Sequence, residues 1–311
     1  MQRFAIREGG SHVPDVVILT LGDGSGCDGA GCGCGAAEKA RVPVLVCADA
    51  LRGAGATVDL ITACDDAEID TAVKPVEAGE KRLVVAAATD AELRAVVRRM
   101  VRRFAPPPSK RPADLPADRT VFDLPPLAVL PLAPAVPDLV ESLGLPREPD
   151  AVAAATLGGR EHRFDLLRND AGSVTIHGSI FGGVDQNGRA VPWRGRVEVD
   201  DAVLTDGDEP VLACSIRNVG PSDVDGLPLV VDARPDSGVV EVALAIPIVE
   251  RRFLRQASVR FEVRRARGRA VSVTPRDGEV HFVDDGVSGV LTRKRAWWVE
   301  PGVWAAYVAR T

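Results

Sequence analysis

The chain has 311 residues, too long for one ordinary domain and suited to two domains of about 100–200 residues each. Hydrophobic residues make up 46% and charged residues 26%, as in a folded globular protein. No apolar run approaches the roughly 20 residues of a membrane-spanning helix, and the first residues lack the pattern of a secretory signal peptide. The net charge of −6 argues against nonspecific nucleic-acid binding, which depends on surplus lysine and arginine. We therefore expect a cytoplasmic protein without a nucleic-acid partner.

The first third of the chain predicts alternating strands and helices, the pattern of an open parallel α/β sheet. The last helix of this region carries apolar residues on one face and arginines on the opposite face. Strands are predicted at 16–20, 57–62 and 82–88, and helices at 36–52, 65–73 and 90–104.

A proline-rich stretch at 105–126 predicts a surface loop or linker, because proline fits neither a helix interior nor a central strand. A strand at 127–132 and short helices at 138–143 and 150–157 follow. Beyond Arg163 the chain consists of short alternating runs separated by turn pairs such as Asp277-Gly278. This pattern predicts a mostly antiparallel β domain.

Several short motifs occur in a fixed order in the central and later parts of the chain. They are Leu130-Pro131-Leu132, Asp138, Leu143-Gly144-Leu145-Pro146, Gly159-Arg160, Asp165-Leu166, then Asp236 with Gly238, and finally Asp285-Gly286. In this order they resemble the catalytic domain of the diacylglycerol kinase family, which includes bacterial lipid kinases and sphingosine kinases.

The resemblance implies an NAD-kinase-like α/β nucleotide-binding domain at 1–135 and a C-terminal β-sandwich domain at 136–290. Residues 291–311 would return to the first domain, and the active site would lie in the cleft between the domains. The resemblance further implies ATP and Mg²⁺ as cofactors and a lipid or lipid-like alcohol as substrate. In a working kinase of this kind, Asp285 would be the general base and Asp236 would lie near a metal ion.

The chain departs from the family where phosphates and metal would bind. The family's glycine-rich G-G-D-G-T motif is replaced by residues 87–91 (AATDA), which leave only Thr89 and Asp90 as candidate cofactor contacts. Glycine matters there because such turns need positive φ and a close approach to phosphate. The family's G-T-x-N-D motif is replaced by residues 133–138, where only Asp138 matches, and Val287 replaces the glutamate after Asp285-Gly286. Since phosphoryl transfer depends on positioning phosphates and metal, these changes predict a degenerate kinase.

A glycine-rich loop at 22–35 contains three cysteines. Its glycines Gly22, Gly24 and Gly26 could cradle an anion before the following helix. Cys27, Cys32 and Cys34 offer soft ligands for zinc, copper or an iron–sulfur cluster. Candidates for a fourth ligand are His12, Asp28 and Cys47. The alternative is a flexible loop of free thiols.

Two further features permit both a functional and a structural interpretation. The arginine-rich segment 251–269 could meet anionic lipid headgroups or form a solvated face. Trp297, Trp298 and Trp304 could contact a membrane surface peripherally or close a core. Scattered histidines, His177 among them, are interpreted as structural.

Three functions remain open from sequence. The favoured one is a degenerate lipid-kinase relative, a pseudokinase, that acts as a binding or regulatory subunit. The first alternative is an active ATP- and Mg²⁺-dependent lipid kinase. The second is a metal- or thiol-dependent protein that uses Cys27, Cys32 and Cys34. The partner would be a lipid-like molecule or a protein. A homodimer is compatible with each of the three functions.

Overall fold

The computed structural model describes residues 13–22, 34–133, 139–184, 190–250 and 258–309. The first domain is built on four parallel strands in the order β4-β3-β1-β2. The apolar runs of β1, β3 and β4 are buried on both faces, as is typical of parallel strands, whereas the edge strand β2 is only partly buried and exposes Leu60. The strands are β1 (Asp15–Leu21), β2 (Val58–Ala63), β3 (Lys81–Ala87) and β4 (Leu127–Pro131).

Five helices accompany this sheet and cover both of its faces. They are α1 (Cys34–Gly53), α2 (Asp66–Glu77), α3 (Asp90–Phe104), α4 (Leu139–Ser142) and α5 (Pro149–Gly158). One face packs on α2, α3 and α4, and the other packs on α1 and α5. The predicted strand–helix alternation is therefore confirmed.

Helix α3 matches its prediction at both ends and on both faces. Its predicted apolar residues are all buried. Four of its arginines pair with acidic residues of α2, among them Arg98 with Asp66 and Arg103 with Glu77. The two helices therefore lie side by side on the sheet, joined by ion pairs at their outer rim.

The proline-rich stretch contains no regular element in the structure except a 3₁₀ turn at Pro108–Lys110. Its later part is nevertheless well packed. Val121 and Leu124 are buried, and the Thr120 amide donates to the Glu300 carboxylate at 2.6 Å. The stretch is therefore an ordered strap across the first domain, not a free linker.

The second domain consists mainly of antiparallel strands. In chain order these are β5 (Arg160–Asn169), β6 (Val174–Thr175), β7 (Gly178–Phe181), β8 (Gly183–Val184), β9 (Ala190–Val191), β10 (Gly195–Val199), β11 (Ala202–Asp206), β12 (Ala213–Arg217), β13 (Gly220–Val224), β14 (Leu227–Ala233), β15 (Val240–Glu250), β16 (Ser258–Gly268), β17 (Ala270–Pro275), β18 (Val280–Asp284), β19 (Val287–Leu291) and β20 (Arg295–Val308).

These strands form a β-sandwich. One layer follows the order β11-β10-β17-β20 with β5 beside β20, and the other follows β16-β15-β12-β7-β18-β19. The core between the layers is aromatic: the Phe181 ring lies 5.4 Å from Trp297 and 5.3 Å from Phe282. The predicted C-terminal β-sandwich is confirmed.

Strand β20 links the two domains. Its first four residues pair with β17 of the sandwich, two stretches at 297–300 and 304–308 pair with β5, and Ala306 pairs with Leu127 of β4. Trp297 is buried in the sandwich core and Trp304 in the core of the first domain. These two tryptophans therefore close cores and are not available to a membrane surface.

The arginines of β16 are largely paired. Arg264 bonds to Glu209 and Glu262, Arg265 donates to backbone carbonyls of β14, and Arg267 bonds to Glu241. Such pairing supports the solvated-face interpretation for this strand. No helix in the described ranges is long and apolar enough to cross a membrane.

Candidate functional site

A cleft of about 210 Å³ opens at the carboxyl edge of the parallel sheet, where α/β folds commonly bind ligands. It lies between the ends of β3 and β4, the start of α3, helix α4, and the turn joining β18 to β19. The residues that line it are Ala87, Ala88, Thr89, Asp90, Leu93, Val129, Pro131, Ala133, Val140 and Gly286. The expected cleft between the domains therefore exists.

The start of α3 is closed by the chain's own side chains. The Thr89 hydroxyl accepts from the Glu92 amide at 3.3 Å, and the Glu92 carboxylate accepts from the Ala88 amide at 2.8 Å. This is a variant of the capping box, in which the glutamate holds the amide of Ala88, the residue before the N-cap Thr89. A carboxylate thus occupies a backbone amide just before the first turn of the helix, where an anion would otherwise find donors.

The neighbouring helix α2 begins in the same way. Asp65 accepts from the Glu68 amide at 2.8 Å, and the Glu68 carboxylate accepts from the Cys64 amide at 2.6 Å. The sequence D-A-E is shared by residues 66–68 and 90–92. The segment that follows β3 therefore forms an ordinary helix start, like the segment that follows β2.

The lining of the cleft is mostly apolar, and among its described residues Asp90 is the one charged side chain. No lysine or arginine is among them. Phosphate groups need cationic or amide donors, and the amide of Ala88 already has a partner in Glu92. The described lining residues therefore offer no cationic side chain to the phosphates of ATP.

Asp285 lies in the β18–β19 turn with φ of 47°, and its side chain is fully buried. Its carboxylate accepts hydrogen bonds from the amides of Ile176 at 2.6 Å, His177 at 2.9 Å and Gly178 at 2.9 Å. Burial, with a further contribution from Asp284, raises the pKa of Asp285 to about 7. The carboxylate thus holds the β6–β7 segment against the turn, and its predicted role as general base stays a prediction.

Arg94 of α3 joins the domains directly beneath this turn. Its Nη2 donates to the Asp284 carboxylate at 2.7 Å, and its Nε donates to the carbonyl of Val174 at 2.7 Å. Asp284 also accepts from the hydroxyls of Thr175 and Ser179. These groups form a buried polar cluster behind the β18–β19 turn, which contributes Gly286 to the cleft.

Asp90 and His177 form a second contact between the domains. The Asp90 carboxylate lies 3.0 Å from Nδ1 of His177, and its other oxygen accepts from the Leu139 amide at 3.4 Å. His177, interpreted from sequence as structural and without a partner, is therefore paired at the edge of the cleft. Since 87 positions separate the two residues, their proximity depends on the tertiary fold.

Arg217 is a residue of this region that the sequence did not single out. It ends β12, opposite Gly178 in the register, and its Nε donates to the carbonyl of Pro221 at 3.0 Å. Burial lowers the pKa of Arg217, and the nearby carboxylates of Asp285 and Asp90 oppose this. An arginine held so close to the cleft is a candidate ligand contact.

Several predicted site residues fall outside the described ranges: Gly24, Gly26, Cys27, Cys32 and Asp138. Cys34 begins α1, with no description of its side chain. Gly22 follows β1, and its amide donates to the carbonyl of Ala63 at 2.9 Å. The roles of these residues stay predictions.

Cys47 was a candidate fourth ligand for the cysteine loop. In the structure its thiol is buried in the core between α1 and the sheet, and burial raises its pKa to about 12. A metal requires the thiolate form, so Cys47 is unsuited to that role. Among the described residues, no group of three or more metal-binding side chains comes together.

Asp236 lies in the turn between β14 and β15, on the surface, with Arg234 3.8 Å away. The aspartate of the Asp165-Leu166 motif anchors the same turn. The Asp165 carboxylate accepts from the amides of Gly238 at 2.6 Å and Gly302 at 2.8 Å, and burial raises its pKa. This motif residue thus connects β5, the turn and β20, which is a structural role.

Comparisons with known proteins agree with this architecture. No family model and no curated protein match the chain. The crystal structure of a diacylglycerol kinase from Bacillus anthracis str. Sterne matches it with a TM-score of 0.58 and 10% identity, covering 95% of this chain and 97% of that chain. Two further structures of this class from the same bacterium match at the same coverage, with TM-scores of 0.59 and 0.63 and identities of 10% and 11%. The chain therefore has the fold of these proteins, as its motifs led us to expect.

Proposed function

We propose that this chain is a pseudokinase of the diacylglycerol kinase family, acting as a binding or regulatory protein for a lipid-like molecule. The observation that carries the proposal is the contact between the Glu92 carboxylate and the Ala88 amide. This carboxylate would repel the phosphates of a nucleotide at the very place where the family's glycine-rich loop approaches them. The fold would then retain its cleft and lose phosphoryl transfer.

The composition of the cleft supports the same conclusion. The described lining residues offer apolar side chains of alanine, valine, leucine and proline, and a single acidic residue. Such a lining favours a hydrophobic ligand segment over a polyanion. A lipid-like molecule fits this chemistry better than ATP does.

An active kinase is the second candidate, and the environment of Asp285 favours it. A buried carboxylate with a pKa of about 7 beside a cleft has the properties of a general base. Both of its oxygens, however, already accept backbone amides. A base would have to exchange one of these bonds for the substrate hydroxyl.

Nucleotide binding separates the two candidates. Titration of the full chain with Mg-ATP by isothermal calorimetry should show no saturable binding up to about 1 mM, the upper end of ordinary KM values. Incubation with radiolabelled ATP and diacylglycerol in mixed micelles should give no phosphorylated lipid. Saturable binding together with transfer, lost in an Asp285→Asn variant, would overturn the proposal and establish the kinase.

A pair of matched variants tests the role of the contact between the Glu92 carboxylate and the Ala88 amide. Glu92→Ala and Glu68→Ala each remove an equivalent helix cap and should each lower stability by about 1 kcal/mol. We expect only Glu92→Ala to gain weak Mg-ATP binding, because only Glu92 holds the amide of a residue that lines the cleft. If the two variants did not differ in Mg-ATP binding, the replacement of the family's glycines at residues 87–91 would by itself account for the exclusion of the nucleotide.

A further inference from the structure

Arg217 has donor capacity that the described structure does not use. Of its three guanidinium nitrogens, Nε donates to the carbonyl of Pro221. No described residue accepts a hydrogen bond from Nη1 or Nη2. The side chain lies across Gly178, where an added Cβ would lie 3.1 Å from Nη1. Gly178 therefore makes room for the guanidinium.

The carboxylates near Arg217 are already bonded to other donors. Asp285 accepts three backbone amides, Asp90 bonds to His177, and Asp223 accepts from the Gly226 amide at 3.3 Å. None of them forms an ion pair with Arg217 within the described residues. The guanidinium thus keeps two nitrogens for an acceptor that the described part of the chain does not supply.

Two more polar groups meet beside Gly220, three residues along the chain from Arg217. Gly220, the first residue of β13, has φ of 68°, and an added Cβ would lie 3.3 Å from Oγ of Ser142 and 4.0 Å from Nε2 of His177. Because Asp90 holds Nδ1 of His177, Nε2 is the ring nitrogen left to face a ligand. Gly220 keeps the space between these two groups open.

We propose that Arg217, His177 and Ser142 form a binding subsite for a phosphomonoester beside the cleft, next to its lining residue Asp90. A guanidinium can bind two phosphate oxygens at once, and an imidazole and a hydroxyl complete the usual set of phosphate contacts. The inference deepens the proposed function and rests on it: a protein that no longer transfers phosphate can still bind a phosphorylated lipid. The apolar lining of the cleft would accommodate the start of its hydrocarbon part.

Vesicle binding tests the ligand class. The full chain is mixed with phosphatidylcholine vesicles containing phosphatidate, phosphatidylserine or diacylglycerol, and the bound fraction is measured by co-flotation. We expect binding to the phosphatidate vesicles alone, because phosphatidylserine is anionic without a phosphomonoester and diacylglycerol lacks phosphate. Calorimetry with inorganic phosphate shows whether the free anion also suffices. Equal binding to phosphatidylserine and phosphatidate, or no binding to either phosphatidate or inorganic phosphate, would overturn the proposal.

Substitutions of Arg217 test whether phosphatidate binds at the proposed subsite. Arg217→Gln should weaken phosphatidate binding at least tenfold, and Arg217→Lys, which keeps the charge and loses the bidentate geometry, should weaken it less. Arg234→Gln removes an exposed arginine and should leave binding unchanged. Equal affinity of the Arg217 and Arg234 variants would contradict the assignment.

Gly220 offers a steric test with a control in the same hairpin. Gly220→Ala and Gly226→Ala both place a side chain at positive φ, but a Cβ at Gly226 meets nothing within 4 Å. The two variants should lose similar stability, and only Gly220→Ala should lose phosphatidate binding. If the wild type binds Mg-ATP and phosphorylates diacylglycerol, the pseudokinase proposal fails while the subsite stands. If the Gly220 and Gly226 variants bind phosphatidate alike, the subsite fails whatever the outcome with ATP.

Discussion

Arg94 of α3 and Asp284 of β18 form a buried ion pair between the two domains, with Nη2 2.7 Å from the carboxylate oxygen. The two residues are 190 positions apart in the chain. Their pairing holds the first turns of α3 against the β18–β19 turn, and therefore fixes the width of the cleft.

Replacing Arg94 by methionine should destabilise the protein strongly. Asp284 would keep a buried charge without its partner, a change that typically costs about 3–5 kcal/mol. Urea unfolding followed by circular dichroism measures the loss. Arg98→Met is the control, because Arg98 pairs with Asp66 in a partly exposed position and should cost within about 1 kcal/mol. If the two variants lost similar amounts of unfolding free energy, the ion pair between Arg94 and Asp284 would contribute little to stability.

The raised pKa of Asp285 makes stability depend on pH. Between the unfolded value near 3.8 and the folded value of about 7, the folded state binds more protons than the unfolded state. The contribution of Asp285 is therefore fully present below pH of about 4 and is lost as pH rises towards about 7. Unfolding free energies near pH 5 and near pH 8 should differ more in the wild type than in Asp285→Asn. An equal difference in both proteins would contradict the raised pKa.

Asp165→Ala should destabilise the second domain by about 2 kcal/mol or more. The substitution leaves the amides of Gly238 and Gly302 without their acceptor, and each unsatisfied donor costs about 1–3 kcal/mol. Asp236→Ala, in the same turn and exposed, should change stability by less than about 0.5 kcal/mol. A large effect of Asp236→Ala on metal-dependent activity, in contrast, would support its predicted position near a metal ion.

Elemental analysis tests the cysteine loop independently of the cleft. If Cys27, Cys32 and Cys34 hold a metal, anaerobically purified protein should contain about one zinc or iron per chain, and the triple serine variant should contain none. Cys47→Ala should retain the metal, because the Cys47 thiol is buried in a core. Metal-free wild-type protein would leave the three cysteines as free thiols.

The elements of the fold could be predicted from sequence because local patterns specify them. The apolar residues of α3 repeat with helical spacing and are buried as predicted. The D-A-E sequence shared by residues 66–68 and 90–92 forms the first turn of α2 and of α3, directly after the N-caps Asp65 and Thr89. It is a local signal for the start of both helices.

The site itself depended on contacts that no local pattern reveals. Asp90 meets His177, and Arg217 lies beside Asp285, only because β7, β12 and β18 are neighbours in the sandwich. The buried state of the Asp285 carboxylate follows from three amides of the β6–β7 segment. Long-range pairing of this kind requires the tertiary structure.

The path of β20 has a consequence for folding during synthesis. Strand β4 obtains its outer neighbour only when β20 pairs with it through Ala306 and Leu127, and β20 is translated after nearly all of the second domain. The nascent first domain therefore exposes a hydrophobic strand edge on the ribosome until the second domain has been made. Exposed edges of this kind invite pairing with other chains, so a chain that stalls before β20 should be a substrate for chaperones.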